Sequence, residues 1–500
     1  MRVKVLKNNK IVHVIICATA TVAAIATVSL LTGCGQINDK SAGTTDAQAQ
    51  LQAEQEEATK SDDGMAKSDL PAETYDLMQE YDAMEAADAQ QLSDTLADSG
   101  TDANNGAAGT AGNGANNGAN NDAASVAGKT AEGNENKAAA HDDEDAVTLV
   151  MVGDILLHTP VEEAAYDPNS KKYNYDFIFA NTADDIKAAD VAIVNEEVII
   201  GGEELGVSGY PSFNAPYEIG DALVNAGFDV ICQATNHAMD KGAKGIKNCT
   251  AYWNESHPEI EMLGIHESAE DADELCILDV DGIKVAVLNY TYGTNGIPLP
   301  ADMPYAVDEL KEQKVILDIA KAEEAADFTV VIPHWGTEYY MGVSEQQRHW
   351  AKLMADNGAD LIIGAHPHVI EPIEWIRGDE EAAGAKRGAL CYYSLGNFVN
   401  WTSGTGKGVV NRMVGGMAKV RLSRDENGDV YISGYGIEPL VCHVESGREN
   451  VTVYKLADYS EELGERNEIR AQDPEFSYGY CMALVEEMWG EAVNGIDCYE

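Results

Sequence analysis

The 500-residue chain carries 85 acidic against 33 basic residues, a formal net charge of −52 at pH 7. A surplus of that size repels phosphate backbones and anionic headgroups, which excludes nucleic acid as a partner and reads first as solubility. The length would allow two or three domains, but composition confines the foldable part to the back two thirds.

At the start, Arg2, Lys4, Lys7 and Lys10 precede an apolar run from Ile11 to Leu31, the pattern of an export signal. The run ends in Leu31-Thr32-Gly33-Cys34, which resembles the bacterial lipobox, where cleavage leaves a cysteine thiol to carry diacylglycerol. Residues 1–34 are therefore expected to be a lipoprotein signal peptide, with Cys34 as the lipidation site. The rival expectation is an uncleaved anchor, since about 20 apolar residues span a bilayer. In either case the body is expected on the extracellular face of the cell membrane. Residues 35–146, rich in Ala, Asp, Glu, Asn and Gly, have too little apolar surface to offset the entropy of ordering and read as an acidic tether. Within it, Leu70 to Leu96 could form a loose helix, and the Asn/Gly/Ala tract from Asn104 to Asn121 reads as flexible coil.

After Asp145 short β-rich runs alternate with helix-compatible stretches. Strands are predicted at Val147–Val152, Val191–Val194, Asp229–Ala234, Ile283–Asn289, Phe328–Ile332, Asp360–Ile363 and Leu390–Ser394. Helices are predicted at Pro216–Ala226, Asp308–Ala326 and Ser344–Asn357, with Asp308 and Ser344 as N-caps. Met417–Leu422 and Val430–Ile437 flank Asp425-Glu-Asn-Gly428, a hairpin signal that would make the sheet mixed. Alternating β and α segments predict a layered α/β fold. The folded domain is expected over residues 147–440, with 441–500 as a C-terminal extension. The cysteines after Cys34 form no C-x-x-C pair, which argues against a zinc knuckle or a redox motif. Cys232, Cys276 and Cys391 read as small buried hydrophobes.

Ligands in such folds gather where loops leave the carboxyl ends of strands. There the chain places Gly153-Asp154 with His158 four residues on, then Asn195-Glu196-Glu197, then Asn236-His237-x-x-Asp240. His334, with Glu338 soon after, and the block Gly364-Ala-His366-Pro-His368 follow. The glycine before Asp154 permits a close backbone approach, and the proline between His366 and His368 restricts the turn so that both can aim at one site. A mixed oxygen and nitrogen donor set without thiolate suits Mn, Fe, Zn or Mg, and so many ligands could hold two divalent ions. Ser394 lacks the glycine of a nucleophile elbow, and Gly404-Thr-Gly406-Lys407-Gly408 lacks the pattern of a phosphate-binding loop.

Taken in order, Gly-Asp154, Asn195-x-Glu197, Asn236-His237-x-x-Asp240-x-Gly242, His334-Trp-Gly-x-Glu338-Tyr339, Gly364-x-His366-Pro-His368 and Tyr393-Ser-Leu-Gly-Asn397-Phe398 resemble the CapA-type poly-γ-glutamate capsule synthesis family. That family is similar in turn to the calcineurin-like metallophosphatases. The resemblance implies a two-sheet core flanked by helices (αββα) and a dinuclear site. By it, Asp154, Glu197, Asn236, His334, His366 and His368 are metal ligands, with Glu197 bridging. His237 implies a proton donor to a leaving group, Asp240 its orienting partner, and Asn397 a pocket residue beside His158 and Glu338. Glu196 and Glu371 stand where the family more often has leucine and glutamine.

Two functions follow from the resemblance. One is a metal-dependent phosphoesterase-like or amide hydrolase or transferase at the cell surface; the other is a non-catalytic factor for polymer binding, assembly or export. The expected partners are an anionic polymer such as poly-γ-glutamate, or its synthase complex, with the membrane reached through the lipid anchor.

Overall fold

The computed structural model describes residues 2–7, 10–13, 146–377, 388–401, 406–447 and 449–494. Cys34, the tether with its loose helix and coil, and Cys498 lie outside the described residues. In chain order the strands are β1 (Arg2–Lys7), β2 (Lys10–His13), β3 (Val147–Ile155), β4 (Tyr166–Asp167), β5 (Lys172–Tyr173), β6 (Val191–Glu196), β7 (Val230–Cys232), β8 (Glu261–Leu263) and β9 (Cys276–Val280). They continue as β10 (Ile283–Thr291), β11 (Phe328–His334), β12 (Leu361–Ile363), β13 (Ile373–Ile376), β14 (Ala389–Tyr392), β15 (Asn397–Val399), β16 (Val414–Arg424), β17 (Val430–Glu445) and β18 (Glu449–Lys455).

Two large sheets result, one ordered β13-β14-β12-β11-β10-β9-β1-β2, the other β18-β17-β16-β3-β6-β7-β8 with β15 also paired to β3. Each has a parallel centre, β10 to β14 in one and β3 to β8 in the other, and antiparallel strands at its flanks. Strands buried on both faces should be continuously apolar, and β11 shows how that apolar content is divided. Phe328, Val330 and Ile332 join an apolar core common to both sheets, whereas the buried Val331 lies outside it. Val285 and Val287 against Ala286, and Leu361 and Ile363 against Ile362, repeat the split. Because successive side chains point to opposite faces, one face of this sheet meets the other sheet through Val152, Ile193 and Ile231. The opposite face lies under the helix Glu312–Ala325, which packs on β10 and β11. The helix Glu345–Asp356 packs beside it, and the helix Tyr478–Asn494 covers β17 of the other sheet. The expected helix-flanked pair of sheets is what forms.

Two local expectations meet different outcomes. Ser344 caps its helix through a full capping box with Gln347, as the Ser-x-x-Gln spacing allows. Asp308 does not cap the preceding helix, which begins after Lys311, because its carboxylate is taken by His266 at 2.8 Å and Lys314 at 3.2 Å. The predicted hairpin forms as the antiparallel β16–β17 pair. β17 runs through residue 440 to Glu445, so the segment that follows shares this sheet. Trp489 of the last helix donates its indole N–H to the Glu371 carbonyl at 2.8 Å, close behind the His-Pro-His block.

The basic residues Arg2, Lys4, Lys7 and Lys10 lie in β1 and β2, on the outer edge of the first sheet beyond β9. Among the described residues no helix is long and apolar enough to cross a membrane. The described cysteines Cys232, Cys249, Cys276, Cys391, Cys442 and Cys481 are buried. Burial pushes the Cys249 and Cys442 thiols up to about 12, which suits inert packing and not thiolate chemistry.

Candidate metal centre

The parallel centres of the two sheets end at one place. Asp154 is the penultimate residue of β3, Asn195 and Glu196 close β6, and His334 closes β11. Asn236 and His237 follow β7, His366 and His368 follow β12, and Asn397 opens β15 beside Asp154. Gly153 permits this convergence through a close approach of backbone to backbone: a Cβ there would stand 1.9 Å from the Gly396 carbonyl oxygen. The Asp154 N–H donates to that same carbonyl at 3.0 Å. His366 and His368 both hold left-handed backbone, with φ of 99° and 58°. A β-carbon disfavours that region, and such strain concentrates at functional sites.

The side chains then interlock across the sheets. Asn195 donates to Asp154 Oδ1 at 2.9 Å, and its amide also lies 3.4 Å from His334 Nδ1. His334 Nε2 is 3.0 Å from Asn236 Oδ1 and 3.8 Å from Glu197 Oε1. His368 places Nδ1 at 3.1 Å from Asp154 Oδ2 and 3.0 Å from Asn397 Oδ1, with Nε2 at 3.5 Å from Glu197 Oε1. Two ligands bonded to one ion at about 2.1 Å stand roughly 3 to 3.5 Å apart, so these separations suit shared cations. Potential ligand atoms lie within 4.8 Å of one another in the trios Glu197-His334-His366, Asp154-Glu197-His368 and Glu338-His366-His368. Glu197, His366 and His368 each belong to two of them.

The sharpest test of fit is what remains unpaired. Both carboxylate oxygens of Glu197 and Nδ1 of His366 are buried without a hydrogen-bond partner. A buried carboxylate left that way costs several kcal/mol, and a cation is the ligand that removes the cost. The residues present therefore fit a divalent metal. Burial drives the Glu197 carboxyl well above its usual range, against the pull of His368. Burial, then neighbouring imidazoles, hold His334 and His366 far below theirs, as neutral ligands must be. For His368 burial also opposes charge, but Glu197 and Asp154 outweigh it and push the imidazole up to about 9. A bound cation would take over the charge that the two neighbouring carboxylates call for and leave His368 a neutral ligand.

His237 and Asp240 form a separate unit. His237 Nδ1 lies 2.7 Å from Asp240 Oδ2, which also accepts the Phe213 N–H at 2.7 Å. His237 joins none of the metal-type trios among the described residues. His158 stacks edge-on against Phe213, as His237 does. Burial, then His368, His237 and Arg412, lower His158 to about 4, so it is a neutral pocket residue outside the trios. Glu338 is exposed at the rim. Of the two adjacent glutamates, Glu197 faces the centre, while Glu196 accepts from the Val198 N–H at 3.3 Å. Burial, with the nearby Glu162 and Glu197, drives the Glu196 carboxyl well above its usual range. Glu162 is itself buried, hydrogen-bonded to Tyr175 and pushed by burial up to about 8. Ser394 donates to the Val369 carbonyl at 2.8 Å and is structural.

Sequence reasoning gave no role to Asn195, nor to Asn295, Tyr292 and Arg412. Asn295 accepts from Asn236 Nδ2 at 3.3 Å and sits 3.5 Å from His237 Nδ1. The Tyr292 ring lies 4.7 Å from that of His366. Asn195 had a usable signal, a polar residue ending a buried strand; Asn295 and Tyr292 come from a loop and Arg412 from a short 3-10 helix, with no local mark.

The sequence model for "Bacterial capsule synthesis protein PGA_cap" matches residues 148–402, just over half of the chain. "Capsule biosynthesis protein CapA" of Bacillus anthracis is 30% identical over 274 residues, covering 52% of this chain and 62% of that protein. "PGA biosynthesis protein CapA" of Bacillus subtilis (strain 168) is 29% identical over 266 residues, covering 52% and 65%. The chain thus spans less than two thirds of either relative's length. Among solved structures, a 5'-nucleotidase precursor from Thermus thermophilus aligns with TM-score 0.35 and 14% identity over 59% of this chain and 54% of that one. The calcineurin-like phosphoesterase YfkN from Bacillus subtilis aligns with TM-score 0.35 and 16% identity over 67% and 99%. These two structural likenesses are too loose to bear on function. The ordered strand-end motifs and the match across residues 148–402 place the chain in the bacterial capsule synthesis protein family PGA_cap.

Proposed function

We propose that the protein is a lipid-anchored surface component of capsule polymer synthesis, of the poly-γ-glutamate type, with a divalent-metal-dependent hydrolase or transferase site. The observation that carries the chemical part is the buried Glu197 carboxylate, unpaired at both oxygens and bracketed by His334, His368 and Asp154. Asp154, Glu197, Asn236, His334, His366 and His368 would hold the metal. A bound pair of divalent ions would supply an acidified water and polarise a phosphoryl or amide centre.

The chain's own groups set the rest. Asp240 holds His237 by Nδ1, leaving Nε2 to pass a proton to a departing group. Asn397 orients His368 from one side and donates to the His368 and Arg412 carbonyls at 3.1 and 3.0 Å. Support for the capsule role comes from the names of the Bacillus relatives. Support for the anchor comes from the lipobox-like Leu31-Thr-Gly-Cys34. Cleavage there would remove β1 and β2 and leave β9 as the sheet edge, without touching the strands that carry the site.

The test is turnover by the full-length protein with added Mn²⁺ on phosphodiesters and γ-glutamyl amides. The proposal expects activity that chelation abolishes and that folded His237→Ala loses. No turnover, together with capsule formation unchanged by Asp154→Ala, would leave only a scaffold role.

A further inference from the structure

The loop that leaves β10 delivers one polar side chain, Asn295, to the edge of the strand-end cluster. Thr291 Oγ1 donates to the Gly293 carbonyl at 2.9 Å, Thr294 Oγ1 to the Ile297 carbonyl at 2.6 Å, and the Tyr292 N–H to the His334 carbonyl at 3.0 Å. The loop is thus tied both to itself and to the strand end that carries His334. At its tip Asn295 has a left-handed φ of 53° and is followed by Gly296 at 72°. Asn and Gly adopt that region at lower cost than other residues, and of the two only Asn brings an amide.

Asn295 Oδ1 accepts from Asn236 Nδ2 at 3.3 Å and from the Tyr292 hydroxyl at 3.4 Å. Two donors on one oxygen fix which way the Asn295 amide points. The contact with Asn236 bears on ligand chemistry, because a side-chain amide can accept or coordinate only through its oxygen, while its nitrogen only donates. With Nδ2 held by Asn295, Asn236 presents Oδ1 inward, 3.0 Å from His334 Nε2. Asn236 is buried and Asn295 is exposed, so a buried ligand is oriented from the surface. We propose that Asn295 is a positioning residue of the centre: it holds the Asn236 amide oxygen-inward and thereby raises the affinity of the site for divalent metal. This role rests on the metal site proposed above, and it can fail while that site stands.

The experiment is calorimetric titration of full-length protein with Mn²⁺, for wild type, Asn295→Gly, Asn236→Asp and the double variant. Glycine takes a left-handed φ without strain, so Asn295→Gly removes the amide and keeps the turn; urea unfolding in chelator should stay close to wild type. Its Mn²⁺ affinity should fall about tenfold, the lower end of what the outer partners of a ligand contribute. Asn236→Asp places an oxygen at both ends of the side chain, so no partner is needed to choose between them. Most of the loss caused by Asn295→Gly should therefore vanish in that background. Such coupling marks an orienting contact, whereas a loop that merely collapses would cost the same affinity in both backgrounds. Wild-type affinity in Asn295→Gly, an equal loss in both backgrounds, or loss of binding in the Asn236→Asp single variant would overturn the role and leave the metal site standing. A wild type that binds no Mn²⁺ would overturn the role together with the metal site.

Discussion

Two clusters of charge lie in this fold, one half-buried and one buried, and they are built on opposite terms. In one, His266 Nε2 meets Asp308 at 2.8 Å, Lys314 reaches Asp308 at 3.2 Å and Asp318 at 2.7 Å, and Tyr290 donates to Asp318 at 3.1 Å. In the other, Asp154, Glu197 and three histidines converge, and Glu197 and His366 keep buried atoms with no hydrogen-bond partner. The first cluster closes on itself and is complete as structure. The second carries a cost that folding leaves standing. What separates a site from a structural ion network is therefore satisfaction of its buried atoms, and not density of charge alone.

The contrast can be broken most directly at the ligands. Asp154→Ala or His368→Ala should lower Mn²⁺ affinity by more than about 100-fold, beyond the 10–100-fold typical of outer partners, in proteins whose circular dichroism is unchanged. Asp308→Ala should leave that affinity intact but destabilise the fold by about 3 kcal/mol, since it strips two cations of a mostly buried partner; urea unfolding reads it. Equal metal loss in both clusters would erase the distinction.

Two smaller effects sharpen it. His266 is pushed up to about 9: burial opposes its charge, but Asp271 and Asp308 outweigh it. A folded value above the unfolded value of about 6.5 gives stability that is complete below pH 6.5 and fades as pH rises through 9. The destabilisation by His266→Gln, up to about 3 kcal/mol, should accordingly shrink between pH 6.5 and pH 9 in urea titrations. A penalty that grows over that range would contradict the pairing. Glu197→Gln should do the reverse of an ordinary core mutation: in chelator, stability rises by about 1 kcal/mol because a buried carboxyl without partners is replaced by a neutral amide. Calorimetry should also show that Mn²⁺ no longer raises its Tm.

Much of this was legible from residues. Strand ends announce themselves where β-rich runs meet Gly, Asn or His, so Asp154, the Glu196-Glu197 pair, Asn236 and His158, His237, His334, His366 and His368 could be grouped before any distance was known. The family resemblance singled out Glu197 over Glu196, which strand alternation alone left open. Less legible was anything decided by distant partners. Asp308 looks like a cap by local pattern, yet His266 and Lys314 claim it. Arg412 meets Tyr339 across a long stretch of chain, and no periodicity reports that. The division of strands into two sheets was equally hidden from the run of alternating elements, because apolar strands such as β11 are buried on both faces.

The central claim is that the strand-end cluster is incomplete without metal. Its most direct test is metal content by mass spectrometry of full-length protein equilibrated with Mn²⁺ and desalted, beside the Asp154→Ala and Asp308→Ala variants. The account predicts about two ions per chain in the wild type and in Asp308→Ala, and loss of metal in Asp154→Ala. A metal-free wild type, or metal retained in full by Asp154→Ala, would contradict it.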